Sequence, residues 1–166
     1  MRTVANEGRT PREALLLRAI EIGRDGMLAR KGGPFGALIA GADGSIVAEG
    51  CNQVTSANDP TAHAEITAIR GACAALGTFT LAGHVLYTSC EPCPMCLAAA
   101  YWARVDGIAF AASRTDAAAG GFDDEFLYRE LTLPLGARNL PISQAAAAEG
   151  AELFREWLEL EDRTPY

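Results

Sequence analysis

The sequence has little positive charge. Its 166 residues carry 14 lysines and arginines against 21 aspartates and glutamates, which gives a formal net charge of −7. Lys31 is the only lysine. Because a chain that follows phosphates needs a basic face, this composition disfavours a nucleic acid as partner or substrate.

The sequence also lacks an apolar run long enough to span a bilayer. Residues 1–8 have no apolar core of the kind found in signal peptides. We therefore expect neither a membrane anchor nor export. The five cysteines are odd in number, and three of them, Cys90, Cys93 and Cys96, crowd into one short stretch. This arrangement suits a metal site in a reducing cytoplasm better than a disulfide framework.

Local patterns predict alternating helices and strands. Thr10-Pro11-Arg12-Glu13 is typical of a helix start, with Thr10 and Glu13 forming a capping box. We predict helices over residues 10–29, 62–76, 94–103, about 125–131 and 143–160, and strands over 35–40, 45–51, 84–89, 105–112 and near Leu140. Residues 1–9 are predicted to be a flexible tail, and 115–124 a loop. The alternation indicates a single α/β domain over residues 10–166, with a sheet between helices.

Two short motifs carry the chemistry. Cys93-x-x-Cys96 offers two thiolates, and His63-x-Glu65 offers an imidazole beside a carboxylate. Three nitrogen and sulfur ligands are the number found in a catalytic zinc site that keeps one position open for water. The start of a helix at each motif would help to hold the sulfurs ionised. Glu65 is then placed to take a proton from the attacking water and hand it to a leaving group.

Other interpretations of the same residues exist. The cysteine pair by itself is equally compatible with a redox dithiol, with half of a structural zinc site, or with ordinary core residues. A structural site would need a fourth ligand, for which Cys90 and His84 are candidates. A non-catalytic zinc-binding module or a redox protein, however, has no need of Glu65. The joint pattern H-x-E with P-C-x-x-C is the known signature of zinc deaminases, and it favours the catalytic interpretation.

From about residue 12 to Tyr166 the chain resembles the cytidine deaminase-like superfamily, and within it the small bacterial guanine deaminases. The stretches that carry the resemblance are Gly33–Ala37, Asn58–Glu65, Tyr87–Cys96, Tyr101–Arg104, Thr115–Ala118 and Gly121–Asp124. This resemblance implies a three-layer α/β/α fold with a mixed central sheet of about five strands. It also implies a homodimer that exchanges its C-terminal segments, about residues 120–166, so that Asp124 and Tyr166 reach the partner's pocket.

The resemblance further implies roles for individual residues. One Zn²⁺ per subunit is bound by His63, Cys93 and Cys96, while Glu65 shuttles protons and the main-chain N–H of Cys93 stabilises the developing negative charge. Asn52 hydrogen-bonds the purine, and Asp124 approaches the leaving amine. Phe35 and Trp102 pack on the planar ring. Plain core packing remains an alternative for these two aromatic residues, and a solvated loop charge for Asp124.

The implied reaction is the hydrolytic deamination of guanine to xanthine and ammonia in the cytoplasm, with a small purine and water as the only partners besides the second subunit. Deamination of another guanine-like ring, such as guanosine, a pterin or an aminotriazine, is an alternative. A tRNA adenosine deaminase is a further alternative. It is disfavoured because the predicted last helix and the residues after it hold six acidic residues against Arg155 and Arg163.

Overall fold

The helices and strands follow the alternation that the sequence predicts. A computed structural model describes residues 10–122 and 124–166, so the predicted tail over residues 1–9 lies outside the described residues. The elements are α1 (Pro11–Leu28), β1 (Gly36–Gly41), β2 (Ile46–Cys51), α2 (Val54–Ala57), α3 (Ala64–Leu76), β3 (His84–Cys90), α4 (Pro94–Ala103), β4 (Gly107–Ala112), α5 (Arg114–Ala119), α6 (Glu125–Thr132), a 3₁₀ turn (Leu135–Ala137) and α7 (Ala147–Glu159). They form two compact units, one ending at Leu127 and the other running from Tyr128 to Tyr166.

The central sheet of the first unit has the strand order β2-β1-β3-β4. β1 is antiparallel to β2 and to β3, whereas β3 and β4 are parallel, so the sheet is mixed as expected. In the described residues it has four strands, and the fifth strand predicted near Leu140 was wrong. That region lies between Pro134 and Pro141, which cannot donate ladder hydrogen bonds, and Leu140 is 73% exposed.

Strand β1 is buried on both faces, which is why it is almost wholly apolar. Ala37 and Ile39 pack in one core cluster with residues of α3 and α4. Leu38 and Ala40, on the opposite face, pack against Ile22 of α1. Helices therefore cover both sides of the sheet, and the predicted three-layer α/β/α architecture is confirmed.

Helix boundaries follow the capping chemistry. The capping box of Thr10 and Glu13 starts α1, and α4 has the predicted bounds. α3 begins two residues later than predicted, with His63 as its N-cap. Part of the predicted loop over residues 115–124 is helical, because Ser113 and Asp116 form a second capping box at the start of α5. That signal was missed in a stretch rich in glycine and alanine.

The second unit contains α7, a shorter helix than the predicted 143–160, because Ala146 at its N-cap adopts a left-handed conformation with φ of 52°. No residue of α7 is buried. Its apolar side chains include Leu153, Phe154 and Leu158, which are 64–74% exposed. No helix among the described residues is both long enough and apolar enough to cross a membrane.

Candidate metal centre and substrate cavity

Two helix N-termini converge on the candidate metal centre. His63 is the N-cap of α3 and Cys93 is the N-cap of α4, and both have an extended backbone conformation. Neither side chain caps its own helix. Both are therefore available to the site, and Cys96 joins them from the first turn of α4. The positive ends of the two helix dipoles favour negative charge at this point, as the sequence predicts.

The three side chains form a compact donor set. The Nδ1 atom of His63 lies 3.6 Å from Sγ of Cys93 and 3.5 Å from Sγ of Cys96. All three donor atoms lie within 4.8 Å of one another, and the two cysteines are buried. Tetrahedral zinc with ordinary Zn–S and Zn–N bonds separates its sulfur and nitrogen ligands by about 3.6 Å. The geometry of this cluster therefore fits zinc.

The candidate fourth ligands of a structural site point elsewhere. Sγ of Cys90 lies 3.6 Å from the carbonyl oxygen of Ser113, and Nδ1 of His84 lies 3.1 Å from the carbonyl oxygen of Ala82. In the part of the chain that the structure describes, the donor set contains three residues. Three protein ligands leave one position for water, which is the arrangement of a catalytic site.

The two thiols differ in acidity. Hydrogen bonds with Cys96 and His63 lower the pKa of Cys93 to about 4, although its burial acts in the opposite direction. The pKa of Cys96 is raised, because it shares a hydrogen bond with Cys93 and is buried. Cys93 therefore ionises first, and a bound dication ionises a coordinating thiol outright. The hydrogen bond with Cys93 also raises the pKa of His63.

Glu65 lies in the first turn of α3, two residues after His63, and is 6% exposed. Burial raises the pKa of its carboxyl group above the ordinary range. A carboxyl group with a raised pKa both accepts and releases protons more readily near neutral pH, which is what a proton shuttle requires. The sequence assigns this role to Glu65, and the role stays a prediction.

The centre opens into a cavity of about 380 Å³. This volume is within the range of small-molecule sites. His63, Glu65 and Cys93 line the cavity, and the predicted substrate residues Phe35, Asn52 and Asp124 also line it. The structure thus brings together six of the nine residues predicted to form the site, and Cys96 lies directly beside them.

The orientation of the Asn52 amide is set by the main chain. Its Oδ1 atom accepts hydrogen bonds from the N–H groups of Gly33 and Val54, each at 3.2 Å. Two donors on one atom identify that atom as the oxygen. Asn52 therefore offers its NH₂ group to the cavity, so it is a donor towards a ligand. A Cβ atom at position 32 would lie 2.1 Å from Oδ1 of Asn52. The close approach of the residue 32 backbone to the Asn52 side chain therefore requires a glycine.

Two predicted residues do not line this cavity. Trp102 lies six residues after Cys96 on α4, about 120° away around the helix, and it is 64% exposed. Tyr166 belongs to the second unit and is 72% exposed. Their predicted contacts with the ring stay predictions, as does the role of the Cys93 N–H group.

Sequence reasoning missed several lining residues, among them Val54, Thr55, Glu91 and Phe122. The Phe122 ring packs edge-on against the Phe35 ring, with centroids 4.8 Å apart and an interplanar angle of 83°. Glu91 and Phe122 each lie two residues before a predicted site residue, Cys93 and Asp124, and this proximity was the available signal. Long-range packing, which no local pattern encodes, selects which neighbours face the cavity.

Comparison with known proteins is consistent with this geometry. Residues 9–112, more than half of the chain, match the family described as the cytidine and deoxycytidylate deaminase zinc-binding region. The chain therefore belongs to the cytidine and deoxycytidylate deaminase family. Membership makes it a zinc-binding protein, and the His63, Cys93 and Cys96 cluster lies inside the matched region.

Relatives of this deaminase family differ in how much of the chain they match. Guanine deaminase of Bacillus subtilis is 50% identical over 93% of this chain and 98% of that protein. Its X-ray structure superposes with a TM-score of 0.90 at the same identity and coverage. The tRNA-specific adenosine deaminase of Agrobacterium fabrum is 49% identical, but over only 43% of this chain and 47% of that protein.

Proposed function

We propose that this chain is a zinc-dependent hydrolase that deaminates guanine to xanthine and ammonia. The observation that carries the proposal is the match to Bacillus subtilis guanine deaminase, which extends over nearly the whole of both chains. The tRNA-specific adenosine deaminase of Agrobacterium fabrum matches less than half of the chain. The proposal places the protein in purine metabolism and, because all five cysteines are free thiols, in the reducing cytoplasm.

His63, Cys93 and Cys96 would hold the zinc ion, which supplies Lewis-acid activation of a water molecule. Glu65 takes a proton from that water and delivers it to a ring nitrogen of the purine. Asp124, which also lines the cavity, approaches the leaving amine, which takes up a proton and departs as ammonia. The N–H group of Cys93 donates to the developing negative charge. Phe35 packs against the ring, and the NH₂ group of Asn52 donates to an acceptor on its edge.

A substrate panel tests this proposal. Ammonia release is measured with guanine, guanosine, adenine, cytosine, cytidine, a pterin and an aminotriazine, each at the same enzyme concentration. The expected result is the highest kcat/KM on guanine. Activity on cytidine alone would contradict the proposal. A preference for guanosine, the pterin or the triazine would change the assigned substrate from guanine to another guanine-like ring.

Replacing Asn52 by Asp is expected to raise KM for guanine and to lower kcat/KM about a hundredfold. Oδ1 can still accept from Gly33 and Val54, but the second oxygen repels the acceptor edge that the NH₂ group binds. Steady-state kinetics measure the effect. Thr55→Ala, a change at a lining residue with no assigned role, is the control and should stay close to the parent. Equal KM values for Asn52→Asp and the parent would show that Asn52 does not take part in substrate recognition.

We also propose a homodimer in which the segment from about residue 120 to Tyr166 is exchanged between protomers. The support is helix α7, on which Leu153, Phe154 and Leu158 are exposed to solvent. Monomeric proteins rarely expose several large apolar side chains together, so a second chain is expected to cover them. Domain exchange forms the contacts of the closed protomer between two chains. Asp124 would then line the cavity of the partner.

Mixing two inactive variants is expected to restore activity if the segments exchange. In a mixed dimer of Glu65→Gln and Asp124→Asn chains, one site receives both mutations and the other receives none. Random reassociation after co-refolding should recover about a quarter of the parental rate. Each variant refolded alone is the control. No recovery, with mixed dimers present by native mass spectrometry, would place Glu65 and Asp124 of each site in the same chain.

A further inference from the structure

Glu91 is a charged lining residue without an assigned role. It lies directly after β3 and two residues before Cys93, and its side chain is 25% exposed. It lines the same cavity as His63, Glu65 and Asp124. Its position thus links the end of the central sheet, the metal centre and the substrate cavity.

The contacts of Glu91 join the metal-binding loop, residues 91–93 between β3 and α4, to the start of α5. Its main-chain N–H donates to the carbonyl oxygen of Ala112 at 2.8 Å, continuing the parallel pairing of β3 and β4. Its Oε2 atom accepts from the main-chain N–H of Arg114 at 3.1 Å. Arg114 is the first residue of α5, where N–H groups have no acceptor within the helix. The carboxylate therefore supplies an acceptor that the helix itself cannot.

Helix α5 leads directly into residues that line the cavity. The N–H group of Phe122 donates to the carbonyl oxygen of Ala117 at 3.0 Å, and Gly121 turns the chain with a φ of +90°. Gly121, Phe122 and Asp124 then line the cavity. A hydrogen-bonded path thus runs from Glu91 through α5 to residues that line the cavity.

We propose that Glu91 is a positioning residue, whose carboxylate holds α5 against the metal-binding loop and so sets where Phe122 and Asp124 stand in the cavity. The inference rests on the proposed function for its kinetic readout only. The contact that performs this role is the hydrogen bond from the main-chain N–H of Arg114 to Oε2 of Glu91. The ion pair between the Arg114 side chain and Glu91 contributes little to this role, because Nε of Arg114 is 4.0 Å from Oε1 of Glu91. The two side chains are also partly solvated, with 45% of Arg114 and 25% of Glu91 exposed.

Three variants separate this role from the alternatives. Glu91→Ala removes the acceptor, Glu91→Gln keeps an acceptor oxygen, and Arg114→Ala keeps the main-chain N–H while removing the guanidinium. For guanine, Glu91→Ala is expected to raise KM about tenfold, with kcat changed less and one zinc still bound per chain. Glu91→Gln should restore KM to within about threefold of the parent, and Arg114→Ala should raise KM less than Glu91→Ala does.

Hydrogen exchange followed by mass spectrometry provides a readout that needs no substrate. In Glu91→Ala the amides of residues 114–122 should exchange about tenfold faster than in the parent, while those of α3 should be unchanged. If the parent protein does not deaminate guanine, the proposed function fails, and this comparison still decides the role of Glu91.

Three results would overturn the inference. Parental KM and parental exchange in Glu91→Ala would show that the contact positions nothing. A Glu91→Gln variant as impaired as Glu91→Ala, with exchange unchanged, would indicate direct contact between the carboxylate and the substrate. Loss of zinc from Glu91→Ala would assign Glu91 to the metal-binding loop instead of the cavity wall.

Discussion

Replacing Glu65 by Gln is expected to lower kcat for guanine by roughly a thousandfold. The amide keeps the size of the side chain and can still form hydrogen bonds, but it cannot accept and release a proton. Glu65 is 6% exposed at the edge of the metal centre, and burial raises the pKa of its carboxyl group. It lies two residues after the metal donor His63 and lines the cavity. The measurement is ammonia release under saturating guanine.

Two controls define the result for Glu65. Zinc content by elemental analysis should remain at one ion per chain, because Glu65 is outside the His63, Cys93 and Cys96 donor set. Glu49→Gln, which changes a surface glutamate paired with Arg18, should behave like the parent. If Glu65→Gln turned over guanine at nearly the parental rate, the shuttle would have to be another group, of which Asp124 is the first candidate.

Replacing Cys96 by Ala is expected to abolish both zinc binding and activity. Two ligands, His63 and Cys93, hold zinc far less tightly than three, and the thiol of Cys96 is completely buried beside them. Loss of the ion also removes its contribution to folding, so the melting temperature should fall by several degrees. Elemental analysis, calorimetry and ammonia release give the three readouts.

Cys73→Ala is the matched control for Cys96→Ala. Cys73 is a half-buried free thiol of α3 outside the donor set, so its replacement should leave the zinc content and the activity unchanged. Chelation of the parent should reproduce the Cys96→Ala result, and added zinc should restore only the parent. Full zinc occupancy and activity in Cys96→Ala would show that the donor set is wrong.

Elements with strong local signals were predicted well. The Thr10 and Glu13 capping box starts α1, and Pro94 is the first residue of α4. These signals act over three or four residues, so the sequence displays them completely. The strand near Leu140 was wrong for the opposite reason. Pairing in a sheet depends on a distant partner, and the local apolar residues near Leu140 contain no information about one.

The sequence alone determined the chemistry of this protein. The donor types, the adjacent carboxylate and the two helix starts are local features, and together they specify a zinc deaminase. Only the tertiary structure decided which way the Asn52 amide faces, why Trp102 is absent from the cavity lining, and that Glu91 joins the metal-binding loop to α5. Those features depend on contacts between residues far apart in the chain, and such contacts exist only once the sheet and its helices have packed.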